Sequence, residues 1–244
     1  MKNGTDSQKP SLSDRIQQLG SLAGFIVDFL ATILSYEQVK YWLEHKTELK
    51  KNLIEAFKIV DEYADTREEW QEFYKIKFGW DVDFSRVIIP TMPIEGKWRL
   101  LILPRRMGLD LAFEACTKLF KTCRYNDNLD GAVTENIRTT SDHYAVWVRD
   151  EIEPDKEFLG KSTRQADPDM KIGVTLLERI IFEIKYFTET GKHLDVKGLT
   201  FCSGSRPSVG LVPCADWYGD KFRVDWSGLD NSDSGYGIRS AVAL

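Results

Sequence analysis

The stretch TFCSGSRPSVGLVPC, residues 200–214, combines small residues, two cysteines and an arginine. A loop of this kind holds an anion when several backbone amides and a basic side chain converge on one point. Ser203, Ser205 and Arg206 are the candidate anion ligands. However, the Gly-Lys-Ser/Thr of a nucleotide P-loop is missing, and Pro207 follows where a helix should begin. A plain connection between strands is therefore the favoured interpretation, and an anion loop is the alternative.

Other residues with suitable chemistry lie earlier and later in the chain. Arg105 and Arg106 form a pair at a predicted strand-to-helix turn, where they are candidates for gripping an anion. Asp150, Glu151 and Asp225 are weak candidates for carboxylates that transfer protons. If the arginines and carboxylates shared one cleft, the protein would be an enzyme acting on an anionic small molecule or a nucleotide-like substrate.

The sequence does not identify a cofactor, and no metal site is predicted. Cys202 and Cys214 flank the loop, but the three histidines show no spacing that would supply the remaining ligands. The turn-rich residues 126–137 match half of a calcium loop, yet Ile137 stands where a bidentate glutamate is needed. Cys116 and Cys123 fall among apolar residues, which favours packing over metal binding.

Composition limits the class of protein. The chain has 244 residues, 42% of them hydrophobic, and a net charge of -5, which argues against nucleic acid and anionic membranes as partners. Four cysteines are too few for a disulfide scaffold, and the first residues are polar. We therefore expect a cytoplasmic protein with a disordered segment at residues 1–10.

Residues 11–80 are predicted to be helical. The clearest helix spans residues 22–34, where one face carries an apolar stripe made of Leu22, Phe25, Ile26, Phe29, Leu30, Ile33 and Leu34. The other faces are small or apolar, so that Asp28 is the single charge and the helix needs cover on more than one side. The central helix of a bundle is the favoured interpretation. The alternative is a docking surface for a partner or for a second copy of the chain.

Three capping boxes and two glycines predict helix limits. Ser35 with Gln38, Thr66 with Glu69, and Thr175 with Glu178 have the spacing at which a hydroxyl and a Glu or Gln side chain satisfy the first free amides. Gly79 and Gly191 stand where a left-handed residue would end a helix. Leu49, Leu53, Phe57 and Val60 continue the helical pattern between the first two boxes.

Residues 81–244 are predicted to form an α+β domain. KWRLLILP, HYAVWVRD, GLTFCSGS, KFRVDWS and IRSAVAL have the pattern of strands. Helices are expected over residues 109–123 and 175–190. Because the strands cluster near the end instead of alternating with helices throughout, we expect a mixed or antiparallel sheet with at least two packed helices.

The amino-acid sequences of several segments resemble those of one family. GVTLLERIIFEIKYFTETGKHLDVKGLTFCSGSRPS, AVTENIR, YAVWVRDEIEPD and DWYGDKFRVDW are similar to uncharacterised bacterial proteins of small-genome, uncultivated lineages. The resemblance covers residues 70–244 and implies no activity or site residue. Two function classes follow from the residues themselves: a non-enzymatic binding or protein-interaction module, which is favoured, and the enzyme described above.

Overall fold

A computed structural model describes residues 12–56, 61–207 and 210–244. These residues form two compact units, Met1–Asp61 and Glu62–Leu244. Helices precede mixed sheets, which confirms the predicted α+β class. The predicted disordered segment at residues 1–10 lies outside the described residues, as do Phe57 and Val60. The domain limits 11–80 and 81–244 stay predictions.

The first unit contains three helices: α1 (Leu12–Ile33), α2 (Tyr36–Glu44) and α3 (Lys46–Ala56). The predicted capping box of Ser35 and Gln38 is confirmed at the start of α2. The prediction that α1 is the centre of a bundle is wrong, because none of the described side chains in this unit is buried.

The second unit contains five α-helices, a 3₁₀ helix (Lys156–Phe158) and ten strands within its described residues. The helices are α4 (Ala64–Phe78), α5 (Leu109–Thr117), α6 (Leu129–Ala132), α7 (Thr163–Ala166) and α8 (Leu176–Thr190). The strands are β1 (Trp98–Leu103), β2 (Thr122–Arg124), β3 (Val133–Asn136), β4 (Tyr144–Arg149), β5 (Leu199–Phe201), β6 (Ser205–Pro207), β7 (Leu211–Tyr218), β8 (Lys221–Gly228), β9 (Tyr236–Ile238) and β10 (Ala241–Val242).

The strands form three sheets. One has the order β1-β4-β10 and is antiparallel, one has the order β2-β8-β7-β5-β9 and is mixed, and β3 pairs with β6. In the first sheet Trp98 lies opposite Arg149 and Leu103 lies opposite Tyr144. The start of β4 is therefore next to the end of β1, a register that decides which of the candidate residues meet.

α4 begins earlier than its predicted capping box. Thr66 and Glu69 lie inside the helix, and Tyr63 at the N-cap makes no side-chain capping bond, so that prediction is wrong. The predicted stop at Gly79 is confirmed, since this residue has a φ of 67° and its amide bonds the carbonyl of Lys75.

α8 is the central helix of the second unit. Ten consecutive residues of its first three turns, from Leu176 to Lys185, are buried. Thr175 and Glu178 form the predicted capping box, and Gly191 ends the helix with a φ of 68°. Each buried Leu, Ile or Phe side chain contributes about 1.5–3 kcal/mol through the hydrophobic effect. α8 therefore supplies much of the core that it shares with β1, β4 and α5.

Two other predictions differ from the structure. α5 ends at Thr117, and Cys123 lies in β2, so the predicted helix over residues 109–123 is too long. The eight residues of β7 lie in a stretch whose composition is typical of turns, and no strand was predicted there. This strand contains Pro213, which has no N–H to donate to a neighbouring strand, and its carbonyl accepts from the amide of Cys202.

Candidate functional site

The predicted docking helix exposes its apolar side chains. Phe25 and Phe29 are 66% and 51% exposed, and their rings lie parallel with centroids 6.3 Å apart. The other large apolar side chains exposed on α1 are Leu22, Val27, Leu30 and Ile33. A helix in isolation is marginal in water, and most helical stability comes from packing of an apolar face. α1 therefore presents an exposed apolar surface.

Two glycines lie on the opposite side of the same helix. A Cβ added at Gly20 or Gly24 would meet no atom within 4 Å, so both positions are open. Asp28 is the single ionisable residue between Gly20 and Ile33. Among the residues that the structure describes, no helix combines the length and the apolar character needed to cross a membrane.

The loop at residues 202–206 contacts an anion that belongs to the chain itself. The carboxylate of Asp167 accepts hydrogen bonds from the backbone amides of Lys171, Ile172 and Gly173, at 2.8–3.2 Å. The hydroxyl of Ser203 donates to the same carboxylate at 2.7 Å. Ser203 and Asp167 are both buried. The group of donors is thus of the kind that binds anions, and Asp167 occupies it.

Ser205 forms a hydrogen bond with the first turn of α8. Its hydroxyl accepts the amide of Leu176 at 2.8 Å and donates to the side-chain oxygen of Asn136. The amide of Glu178 is bonded to the hydroxyl of Thr175, which is the other half of this N-terminus. Amides that would otherwise attract a ligand anion are therefore satisfied by the protein.

Arg206 lies apart from these two serine hydroxyls. Its guanidinium donates to the carbonyl of Asp169 at 3.1 Å and lies 3.8 Å from the carboxylate of Glu135, which is on the facing strand β3. The Arg206 side chain is 40% exposed. An ion pair this exposed contributes little to stability.

Arg105 and Arg106 form the predicted turn after β1. The amide of Arg105 donates to Nδ1 of His143, and the amide of Arg106 donates to the carbonyl of Thr140. Arg106 has a φ of 66°, an unfavourable backbone conformation for a residue with a Cβ. Both side chains are exposed, and neither guanidinium forms an ion pair with a described residue. The turn therefore presents two uncommitted charges.

The candidate carboxylates of residues 150 and 151 lie at the other end of the same sheet. Asp150 and Glu151 directly follow β4, whereas the arginine turn follows β1 beside the start of β4. The two strands are paired over six residues, so the two ends are five steps apart, and at about 3.3 Å per step this is roughly 17 Å. Asp150 is paired with Arg99 at 2.8 Å, and Glu151 is exposed.

Asp225 lies in a third place. It is on β8, opposite Cys214 of β7, and its carboxylate accepts the amide of its neighbour Trp226. The described residues thus bring Ser203 and Ser205 to one loop but leave the arginine turn and the carboxylates at separate positions. The assignment of these residues to an anion or catalytic site stays a prediction.

A buried network of charges escaped the sequence reasoning. Arg179 donates to Glu183 and to Asp195, at 2.8 Å each, and Arg239 donates to Asp195 at 3.0 Å. All four side chains are fully buried. In sequence, Glu183 follows Arg179 at the ordinary i,i+4 spacing of an exposed helix pair, so only their apolar neighbours gave a signal of burial.

Three of the four thiols lie in the core, whereas Cys123 is half-buried. Cys116, Cys202 and Cys214 are buried, and burial raises the pKa of each thiol well above its ordinary value, which disfavours the reactive thiolate. Within the described ranges, no three His, Cys, Asp or Glu side chains are arranged to hold a metal ion.

A groove between α4 and α8 is the other surface that the sequence did not indicate. It has a volume of about 670 Å³, and its walls carry acidic side chains of α4. Lys185 of α8 lies at its edge and pairs with Glu69 and Glu189.

Comparisons with protein-family models, with curated proteins and with solved structures find no match to this chain. The resemblance to uncharacterised bacterial proteins stays a prediction.

Proposed function

We propose that this protein is a non-enzymatic binding protein that associates with a second copy of itself through α1. The exposure of the apolar face of α1 is the observation that carries this proposal. Monomeric proteins rarely expose contiguous apolar patches larger than a few hundred Å². Five large apolar side chains of the stripe, each between 36% and 66% exposed, give α1 a patch on the order of 500 Å².

A second copy is the partner that the chemistry of α1 favours. Two such patches would bury on the order of 1,000 Å², about what a specific interface needs. A partner of opposite charge has nothing to recognise, because Asp28 is the single charge on this part of the helix. Phe25 and Phe29 supply the bulk of the apolar stripe, whereas Gly20 and Gly24 lie on the opposite side of the helix and are not part of this contact.

The enzyme alternative would need the candidate arginines and carboxylates to share one cleft. Arg105 and Arg106 lie at one end of the β1–β4 pair, and Asp150 and Glu151 lie at the other. An enzyme acting on an anionic or nucleotide-like substrate, and the cytoplasmic location, both stay predictions.

The test replaces an exposed aromatic residue with a charge. Phe29→Asp places a carboxylate in the centre of the proposed interface, where an unpaired charge is costly to bury. We expect the wild-type chain to form a dimer at micromolar concentration, and the variant to require at least tenfold higher concentration. Sedimentation equilibrium measures both dissociation constants.

Gln17→Asp is the matched control, since it adds the same charge to an exposed polar position of α1. This control should dimerise like the wild type. Phe25→Asp gives an independent second disruption, because Phe25 lies in the apolar stripe and is 66% exposed. Circular dichroism establishes that the variants are folded. A wild-type chain that remains monomeric at high concentration, or folded variants with unchanged dissociation constants, would overturn the proposal.

A further inference from the structure

The groove between α4 and α8 has an acidic wall on one helix. Residues 65, 68, 69 and 72 are spaced by three and four, which places their side chains along one face over two turns. They are Asp65, Glu68, Glu69 and Glu72. With Glu189 from α8, five acidic side chains line the groove against Lys77 and Lys185, which leaves a formal charge of -3.

The basic residue of α8 is already committed. The Lys185 side chain is 7% exposed, and its ammonium lies 4.9 Å from the ring centre of Trp70 and 5.4 Å from that of Phe73. Glu69 accepts a hydrogen bond from it, and Glu189 forms an ion pair with it at 3.1 Å. Because Lys185 is held in this way, it does not neutralise the acids further along α4.

Those remaining acids repel one another. Glu68 and Glu72 are four residues apart, a spacing at which like charges cost a few tenths of a kcal/mol on a helix. The helix dipole favours acids in the first turn only, which includes Asp65 but not Glu72. A cation beside Glu68 and Glu72 would relieve this repulsion.

The groove also offers an apolar contact. Phe73 lies in the floor of the groove but is 5% exposed, so the open apolar surface is that of Ile76, which is 66% exposed on the same face as the acids, one turn beyond Glu72. A free metal ion or a small polyamine would leave this apolar surface in water. An occupant with both positive and apolar groups would use the whole groove.

We propose that this groove binds a basic amphipathic helical segment of a partner protein. Two turns of such a helix match the two turns of α4 from Asp65 to Glu72, at about 1.5 Å per residue. Lysine or arginine side chains on one stripe face the acids, and a leucine-like side chain contacts Ile76. This docking mode places a helix in a groove and uses opposite charge to fix its register. It does not involve α1 and is independent of the proposed self-association.

The experiment uses a fluorescein-labelled 18-residue peptide of leucine and lysine in an amphipathic helical pattern as the probe. Fluorescence anisotropy with the full chain should give saturable binding that weakens as salt rises, because charge contacts are screened. We expect Glu68→Gln/Glu72→Gln to weaken binding at least tenfold. Ile76→Ser should weaken it about threefold to tenfold and leave the salt dependence unchanged.

The control separates this groove from the general negative charge of the protein. Glu114→Gln/Asp127→Asn removes the same two charges from exposed positions outside the groove, and its affinity should equal that of the wild type. A peptide with glutamate in place of lysine should not bind. Equal weakening by both double variants, or an Ile76→Ser variant with wild-type affinity, would overturn the proposal. Circular dichroism confirms that α4 remains folded in each variant.

Discussion

Asp155 is a carboxylate that the fold holds away from water. Its side chain is 2% exposed, and one oxygen accepts the amide of Ser240 at 2.8 Å. The other oxygen has no hydrogen-bond partner among the described residues. Burial raises the pKa of Asp155, although the bond from Ser240 acts in the opposite direction. Asp155 is therefore easier to bury protonated than ionised.

This burial predicts a dependence of stability on pH. Because the folded-state pKa of Asp155 is raised, the native state binds more protons than the unfolded state between the ordinary carboxyl value near 4 and the raised one. The stability contributed by Asp155 is complete below that ordinary value and is lost as pH rises through the raised pKa. Asp155→Asn removes this loss. Urea unfolding at several pH values should show the wild type losing stability relative to the variant as the pH rises from 4 to 7. A difference that does not change with pH would contradict this.

The candidate anion loop shows how far single residues can be interpreted from sequence. Small residues and an arginine at residues 202–206 suggested an anion loop as the alternative to a plain connection between strands. Of these residues Ser203 donates to an anion, the carboxylate of Asp167, which lies 36 residues before it in sequence. Only the fold brings Asp167 to the loop, so local spacing could not distinguish an internal carboxylate from a ligand.

At the scale of elements, the loop before β6 and the start of α8 meet backbone to backbone. The amide of Gly204 donates to the carbonyl of Val174 at 3.0 Å, and the amide of Ile137 donates to the carbonyl of Gly204 at 2.9 Å. A Cβ at residue 204 would lie 2.7 Å from the carbonyl oxygen of Gly173 and 3.0 Å from the amide nitrogen of Thr175. Glycine is needed here for close packing.

Gly204→Ala should therefore destabilise the second unit. The neighbouring atoms are backbone and cannot rotate away, so we expect a loss of about 1–3 kcal/mol in the free energy of unfolding. Chemical denaturation measures it. Gly228→Ala is the control, because the nearest atoms to its Cβ lie 3.4 Å away in the side chain of Asn231. Equal stability of the two variants would show that residues 173–175 move aside without cost.

Elements were predictable where local chemistry decides them. The Thr175 capping box and Gly191 marked both ends of α8, since caps act within one turn. The start of α4 was misplaced because a threonine and a glutamate three residues apart also occur inside a helix. β7 was missed since Pro213 disfavours a central strand, and only its neighbours β5 and β8 override that preference.

For the second unit as a whole, one side chain joins the two larger sheets. Arg239 lies where the chain passes from β9 of the five-stranded sheet to β10 of the three-stranded sheet. Its guanidinium donates to the backbone carbonyls of Arg149, Glu151 and Ile152 and to the carboxylate of Asp195. The residues after β4, the loop after α8 and the C-terminal strands are thereby held at one buried point.

The α+β class followed from the order of the segments, whereas this joining point did not. The arginine of the IRSAVAL segment has no sequence neighbour that marks it as buried, and its partners lie 44 to 90 residues away. Long-range pairing of this kind is decided by topology. The same reasoning applies to α1, whose apolar pattern predicted a helix correctly but did not reveal whether other helices cover it.

Arg239→Met should lower the stability of the second unit as one cooperative structure. The substitution leaves three carbonyls without a donor and removes one of the two arginines that neutralise Asp195, and breaking a buried charged pair costs about 3–5 kcal/mol. Arg239→Lys should recover part of this loss, because a lysine keeps the charge but cannot span four acceptors. Arg164→Met is the control: its ion pair with Asp230 is 61% and 76% exposed, so its loss should cost less than about 1 kcal/mol. Urea unfolding followed by tryptophan fluorescence and by near-ultraviolet circular dichroism measures these free energies. If Arg239→Met shifted the transition followed by one of these two probes and not the other, the sheets would unfold separately, and Arg239 would not be the point that couples them.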